Sequence, residues 1–258
     1  MALKHGSLFS GIEGFGEGAK RAGIKTLFEV EQKVFCRNVC KEKYNAKQYS
    51  DIKEFDGREW RGKVDVLSGG FPCQDISVAG KQEGIKGAKS YLWAEYARII
   101  GETNCKYAII ENSPQLLRVG FERVLCDLSD LGYDAQWECI SCSAFGMPHR
   151  RKRLFVIAYA NGTRRQELLH GDSGRIFKKI KKEKDAALDN KRSPFLQFEQ
   201  RFGKPAVFGV DDGVRDRSRS RSYLVPRLSA YGNAVSPVIA EYLFECIKYD
   251  HMQRFDNN

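Results

Sequence analysis

No apolar run in the chain approaches the ~18 residues that would mark a membrane-spanning helix. There is also no charged-then-apolar leader at the start, so no secretory signal is expected. The eight cysteines lack the regular spacing of a disulfide framework. Cys139 and Cys142 form a lone Cys-x-x-Cys, and Cys36 and Cys40 stand four apart. Neither pair has a second pair or a nearby histidine pair, which argues against a zinc site and for packed thiols. A reducing cytoplasm fits this pattern, with no metal and no membrane partner. No internal repeat is evident, and residues 163–222 show no clear helical or strand period.

The 258 residues are 42% hydrophobic and 29% charged. That suffices for one large core domain and a small appendage. Lysine and arginine number 43 against 33 acids, a formal net charge of +10. Such a balance favours a polyanionic partner, although an ordinary basic surface would read the same way.

Apolar and turn patterns alternate along the chain. A strand at 5–10 runs into a glycine-rich turn (Gly11, Gly14, Gly16, Gly18) and a helix with Phe15, Ala19 and Ala22 on one side, stopped at Gly23. A strand is expected at 25–30, a helix at 33–43 and an acidic turn at Asp51-Ile52. Strands follow at 64–68 and 107–111, with helices at 91–101 and 121–131. Residues 133–142 and 153–159 read as an antiparallel pair around a polar loop. Ser236-Pro237 opens an amphipathic helix over 236–249, a capping residue before a proline in the first turn. The alternation predicts an α/β protein with a doubly wound, mixed but mostly parallel sheet and helices on both faces, Rossmann-like, plus a small irregular region. The expected division is a discontinuous domain of 1–162 and 223–250, a basic region of 163–222, and a tail of 251–258.

Four places carry candidate chemistry. Phe9-Ser10-Gly11-Ile12-Glu13-Gly14 follows a strand and opens a helix, a turn that lets a ligand approach backbone amides. Glu29, 18 residues beyond Gly11, ends the next strand, where an acid meets ribose hydroxyls. Taken alone it could equally be a solvated loop acid. Gly69-Gly70-Phe71-Pro72-Cys73-Gln74 presents a cysteine on a stiffened loop at a strand end. That is a nucleophile's place, or that of a buried structural cysteine. Glu111-Asn112 ends another apolar strand, where partial desolvation raises a carboxyl pKa, although taken alone it reads equally as an exposed loop-start acid. His149-Arg150-Arg151-Lys152-Arg153 is a solvated basic loop, or a strand start that aims Arg151 and Arg153 at one anion.

Read in order, these stretches resemble the cytosine carbon-5 DNA methyltransferases. The resemblance rests on Leu8-Phe9-Ser10-Gly11-Ile12-Glu13-Gly14-Phe15, Gly70-Phe71-Pro72-Cys73-Gln74-Asp75-Ile76-Ser77, Glu111-Asn112-Ser113, Phe145-Gly146-Met147-Pro148-His149-Arg150-Arg151-Lys152-Arg153, and Tyr231-Gly232-Asn233-Ala234-Val235. It spans about 1–160 and 225–250, in the layout of small bacteriophage or prophage members. Four departures stand out. Glu13 replaces a glycine, Ser113 replaces a valine, Lys89 replaces an arginine, and Val225-Pro226-Arg227-Leu228 stands where another motif is usual.

The resemblance implies methyl transfer from S-adenosylmethionine to carbon 5 of cytosine in double-stranded DNA, leaving S-adenosylhomocysteine. It makes Cys73 the nucleophile that forms a covalent adduct on a flipped-out base. Glu111 would donate to ring nitrogen 3, Arg153 would hold the pyrimidine oxygen, and Arg151 would orient the cysteine and glutamate loops. Asn112 would brace the glutamate loop. The cofactor would lie on Phe9, Ser10, Gly11, Ile12 and Gly14, with Gly70 and Pro72. Glu29 would take the ribose, Val30 would pack on adenine, Asp51 with Ile52 would read the adenine edge, and Asn233, Ala234 and Val235 would close the methionine end. Gln74, and Ser77, Lys81 and Lys89 from a loop over 75–89 that closes as a lid, would contact DNA. Residues 163–222 would recognise the target. The resemblance also implies a monomer working at the nucleoid of a bacterial or phage-infected cell, with or without a restriction partner. A tRNA-methylating relative and a non-catalytic DNA binder are the alternatives.

Overall fold

The structure is a computed structural model that describes residues 2–72, 91–145, 147, 150–160 and 234–255. The strands are β1 (Lys4–Leu8), β2 (Lys25–Val30), β3 (Lys47–Tyr49), β4 (Val66–Gly70), β5 (Tyr107–Asn112), β6 (Tyr133–Ser141) and β7 (Lys152–Ala160). The helices are α1 (Gly14–Arg21), α2 (Val34–Lys43), α3 (Tyr91–Thr103), α4 (Phe121–Asp130) and α5 (Pro237–Phe255). Among the described residues the strands form one sheet in the order β3-β2-β1-β4-β5-β7-β6. β1 to β5 pair in parallel, and β7 runs antiparallel to both β5 and β6. The expected mostly parallel sheet with a terminal hairpin is therefore the fold.

Period-two alternation sorts the core. On β5, Ala108 and Ile110 join Trp93, Tyr96, Ile99 and Ile100 of α3 and Val124 and Leu128 of α4. Tyr107 and Ile109 face the other way, with Phe15 and Ala19 of α1 and Ile239, Leu243, Phe244 and Ile247 of α5. All six residues of β5 are buried, as befits a strand covered by helices on both faces.

Three differences from expectation have physical causes. β3 lacks an apolar pattern and is held instead by pairing with β2 and by Gln48, whose amide donates to Glu29 and to the Arg37 carbonyl. β4 begins at Val66 rather than 64, because Lys63 and Val64 are still closing a turn onto the Trp60 carbonyl. α5 continues past 249 to Phe255, so the expected tail is helical to that point. Its start matches expectation in the backbone, where the Ser236 carbonyl accepts from Ala240, but the Ser236 hydroxyl donates to Met147 Sδ. No described helix is long and apolar enough to cross a membrane.

Candidate active site

The strand order reverses between β1 and β4, and the crevice at such a reversal, beyond the carboxyl ends of the strands, is where open α/β sheets bind ligands. Register places Leu8, Val30, Gly70 and Asn112 at that edge. Because β7 is antiparallel, its start brings Arg153 to the same edge, near Leu154, which pairs with Asn112.

The glycine-rich turn is built from three residues in left-handed conformation, Phe9 (φ 51°), Gly11 (φ 57°) and Glu13 (φ 63°). Its geometry is fixed by β2. The Ser10 N–H donates to the Val30 carbonyl at 3.2 Å, and the Gly11 N–H donates to Glu31 Oε2 at 2.8 Å. Glu31 Oε1 accepts from the Lys33 N–H at 2.7 Å, so one carboxylate clamps the turn to the start of α2. A Cβ on Gly14 would lie 2.2 Å from the Val235 carbonyl oxygen. Only glycine permits this approach, which brings the 234–235 segment against the first motif.

Glu29 is 3% exposed and accepts from Gln48 Nε2 at 3.2 Å; burial raises its carboxyl above the usual range. Glu13 is fully buried. Burial first, and then the charge of Glu29, push its carboxyl up to about 8, while Ser7, Gly16 and Ser10 draw it back part of the way. Neither of its oxygens makes a hydrogen bond of normal geometry among the described residues. Val30 and Ile52 are buried in one apolar cluster, with Phe9 packed against it. Asp51 accepts from the Lys53 N–H at 2.9 Å.

Across the crevice, Glu111 is 8% exposed and pairs with Arg153 Nε at 3.0 Å. Burial raises its carboxyl above the usual range, and Arg153 and then Arg151 pull it back. Burial and the neighbouring Arg153 lower the Arg151 guanidinium. Arg153 thus pairs with the carboxylate directly, and Arg151, which stands just before β7, acts on it by charge. A Cβ on Gly70 would stand 2.5 Å from Glu111 Oε2, so the glycine clears the carboxyl's place. Asn112 Nδ2 donates to the Phe71 carbonyl at 3.2 Å, and its Oδ1 accepts from the Ser113 N–H at 2.8 Å. Asn112 therefore ties the glutamate strand to the Phe71-Pro72 backbone. Ser113 caps the turn Pro114–Leu117 through Gln115 N, a use that valine lacks.

Phe9, Ser10, Gly11, Ile12, Gly14, Glu29, Val30, Asp51, Ile52, Gly70, Pro72, Glu111, Arg151, Arg153, Ala234 and Val235 are all described. Cys73, Gln74, Ser77, Lys81, Lys89, Asn233 and the 163–222 region lie outside the described residues. Sequence reasoning missed the clamp of Glu31, although the Glu29-Val30-Glu31 spacing held a signal for it. It noted Glu13 as a departure, but no periodicity announced a buried carboxyl there.

Residues 3–202 match the sequence profile of the family described as C-5 cytosine-specific DNA methylase. Type II methyltransferase M.NgoBI of Neisseria gonorrhoeae is 30% identical over 158 residues, 60% of this chain and 50% of the relative. Type II methyltransferase M.HhaI of Haemophilus parahaemolyticus is 24% identical over 262 residues, 93% of this chain and 78% of the relative. The match to M.CviJI of Paramecium bursaria Chlorella virus IL3A, 27% identical, covers 52% of that protein, so the chain spans about half the length of several curated relatives it matches. In fold, the Entamoeba histolytica methyltransferase EhMeth superposes with a TM-score of 0.55 at 18% identity, over 64% of this chain and 55% of that one. The profile covers well over half of the sequence and includes the turn after β1, the Pro-Cys loop, Glu111 and the arginine strand, and on that ground the chain belongs to the C-5 cytosine-specific DNA methylase family.

Proposed function

We propose that this protein transfers a methyl group to carbon 5 of cytosine in double-stranded DNA. The observation that carries the reading is the buried Glu111 carboxyl, cleared by Gly70 and faced by Arg153 and Arg151. Asn112 anchors the backbone two residues before Cys73 to the same strand end.

The residues on the other side of the crevice fit an adenosyl cofactor. Carboxylates at the end of β2 suit ribose hydroxyls, an apolar pair, Val30 and Ile52, suits a purine face, and Asp51 suits an amino edge. Phe9, Ser10, Gly11, Ile12 and Gly14 would hold the central part, with Gly70, Pro72, Asn233, Ala234 and Val235 at the methionine end. S-adenosylmethionine, when bound, supplies an electrophilic methyl group.

The chain's own part is to make cytosine accept it. The Cys73 thiolate adds to carbon 6, which leaves carbanion character at carbon 5. Glu111 donates a proton to ring nitrogen 3, where negative charge would otherwise accumulate. A carboxyl raised by burial carries that proton closer to neutral pH than an exposed one does. Arg153 holds the pyrimidine oxygen, and Arg151 keeps the two loops in register. Carbon 5 takes the methyl group, its proton then passes to a solvent base as the carbon-6–sulfur bond breaks and expels the thiolate, and the nitrogen-3 proton returns to Glu111, which restores the ring. The base must leave the stack to reach this site. Gln74, Ser77, Lys81 and Lys89 would touch the DNA, and the basic 163–222 region would choose the sequence and hold phosphates.

Transfer of label from S-adenosylmethionine to duplex DNA, with tRNA as the comparison, tests the substrate. Cys73→Ser should abolish transfer while cofactor binding persists, and a duplex carrying 5-fluorocytosine should trap wild type at Cys73. Turnover in Cys73→Ser, or transfer to tRNA alone, would overturn the reading.

A further inference from the structure

The stretch after β3 makes its turns with the help of α3. Arg98 on α3 donates through Nη2 to the Ile52 carbonyl at 2.9 Å and through Nη1 to the Phe55 carbonyl at 3.1 Å. The same guanidinium is held by Glu95 Oε2 at 2.8 Å and by Glu102 Oε1 at 2.7 Å. Glu102 Oε2 in turn accepts from the Gly57 N–H at 2.8 Å. Lys53 Nζ adds a further tie, 4.3 Å from the centre of the Tyr91 ring at the start of α3.

This arrangement depends on guanidinium chemistry. A planar fork with five donors can satisfy two carbonyls and two carboxylates at once in fixed directions. A lysine ammonium is a point charge on a flexible stem and fixes no such plane. The Ile52 carbonyl belongs to the peptide that directly follows the two side chains that matter here. Asp51 precedes it, and the Ile52 side chain lies in the apolar cluster with Val30. With that carbonyl held, the backbone that aims Asp51 and Ile52 is also held.

We propose that Arg98 is a positioning residue that gives the cofactor site its selectivity for adenine, by fixing the Asp51-Ile52 backbone at the purine edge. The proposal rests on the reading of this side of the crevice as the adenosyl site. Arg98 itself touches no ligand and acts through the two carbonyls.

The test compares S-adenosylhomocysteine with S-inosylhomocysteine, whose purine has an oxo group in place of the amino group, by calorimetric titration. Wild type should prefer the adenosyl compound, because Asp51 accepts from an amino group and repels an oxo group. In Arg98→Met, affinity for S-adenosylhomocysteine should fall about 10-fold, the scale of one lost polar contact. Affinity for the inosyl compound should change much less, so the preference collapses. KM for S-adenosylmethionine should rise while kcat at saturation stays within about 3-fold, as for a lost binding contact. Arg98→Lys should fall between the two. If Arg98→Met does not fold, Glu102→Gln keeps an acceptor for Gly57 but weakens the hold on Arg98, and should shift the same ratio by a smaller factor. An equal loss for both compounds, or an unchanged ratio in a folded variant, would overturn the proposal while the adenosyl site stands. A wild type that binds neither compound would overturn the site reading and the proposal together.

Discussion

Glu111 and Glu13 are both buried carboxyls at the crevice edge of the sheet, and they meet opposite company. Glu111 lies beside Arg153 and Arg151, which offset part of the cost of burying its charge. Glu13 lies beside Glu29, and a second acid adds to the effect of burial. The same desolvation therefore has two outcomes. On the β5–β7 side the carboxyl is drawn between burial and two cations, a balance that suits a group exchanging a proton with a base. On the β1–β2 side Glu13 is driven toward its neutral form, which suits packing under a turn. Cations answer the buried carboxyl on one side of the reversal point, and a second acid opposes it on the other.

The comparison breaks most sharply at Glu111. Glu111→Gln keeps the shape and removes the acid, and turnover should fall at least about 100-fold, the scale of general acid catalysis. Cofactor binding across the crevice should persist, which calorimetry checks; unchanged turnover would place the proton donor elsewhere. Gly70→Ala asks whether the carboxyl's position matters as much as its presence. The new Cβ would meet Glu111 Oε2 at 2.5 Å. Turnover should drop between about 10-fold and 100-fold, because a small misplacement of a reacting group is costly, while stability falls by only about 1 kcal/mol. Steady-state rates beside thermal melts would separate the two effects. Arg153→Met should slow turnover about 10-fold, at the low end of what a lost transition-state contact costs, and also move the pH profile. Arg153 lowers the Glu111 pKa, so its removal raises that pKa. The alkaline limb of the rate profile, where the acid form is lost, should shift upward; a downward or absent shift would separate the two groups.

The Glu111 half of this contrast was legible in the sequence, and the Glu13 half was not. Strands with a clean apolar signature, such as Tyr107–Asn112, fall where the pattern put them, because burial on both faces leaves little freedom. β7 was readable for a similar reason, since its middle is buried, whereas β6 is a half-exposed edge strand; β7 carries Arg153 to Glu111. β3 was not readable, since its Lys-Gln-Tyr is held by pairing and by Gln48 rather than by hydrophobic periodicity. Asn112 was expected to steady the glutamate loop; the structure adds its bond to Phe71, a contact across 41 residues that no local pattern encodes. The Glu31 clamp and the Arg98 fork are likewise long-range pairings of ordinary surface-type residues. Exposure to such partners is decided by topology, which composition and spacing constrain only in part.

The smallest effect is expected at Glu13, and it concerns stability rather than turnover. In the unfolded chain its carboxyl has an ordinary value near 4.5, and in the fold it is pushed up to about 8 by burial and Glu29. Between those values the folded state holds a proton that the unfolded state has released. Folding is then favoured by acid, so Glu13's contribution is fully present below about pH 4.5 and is lost as pH rises through about 8. The groups around it from neighbouring elements are Ser7 and Ser10 on the β1 side, Glu29 on β2, and Cys40 on α2, whose thiol is itself raised, first by burial and then by the Glu13 charge. Glu13→Gln keeps a neutral group of the same shape at every pH. Its melting temperature should therefore decline less than that of wild type between pH 5 and pH 8, by several degrees, since each pKa unit of difference between fold and unfolded chain is linked to about 1.4 kcal/mol. Glu111→Gln measured over the same range serves as the contrast, since Arg153 and Arg151 already offset part of that burial and the slope should change less. Parallel curves for wild type and Glu13→Gln would mean that Glu13 is ionised in the fold with a partner of its own, and the asymmetry between the two sides of the crevice would fail.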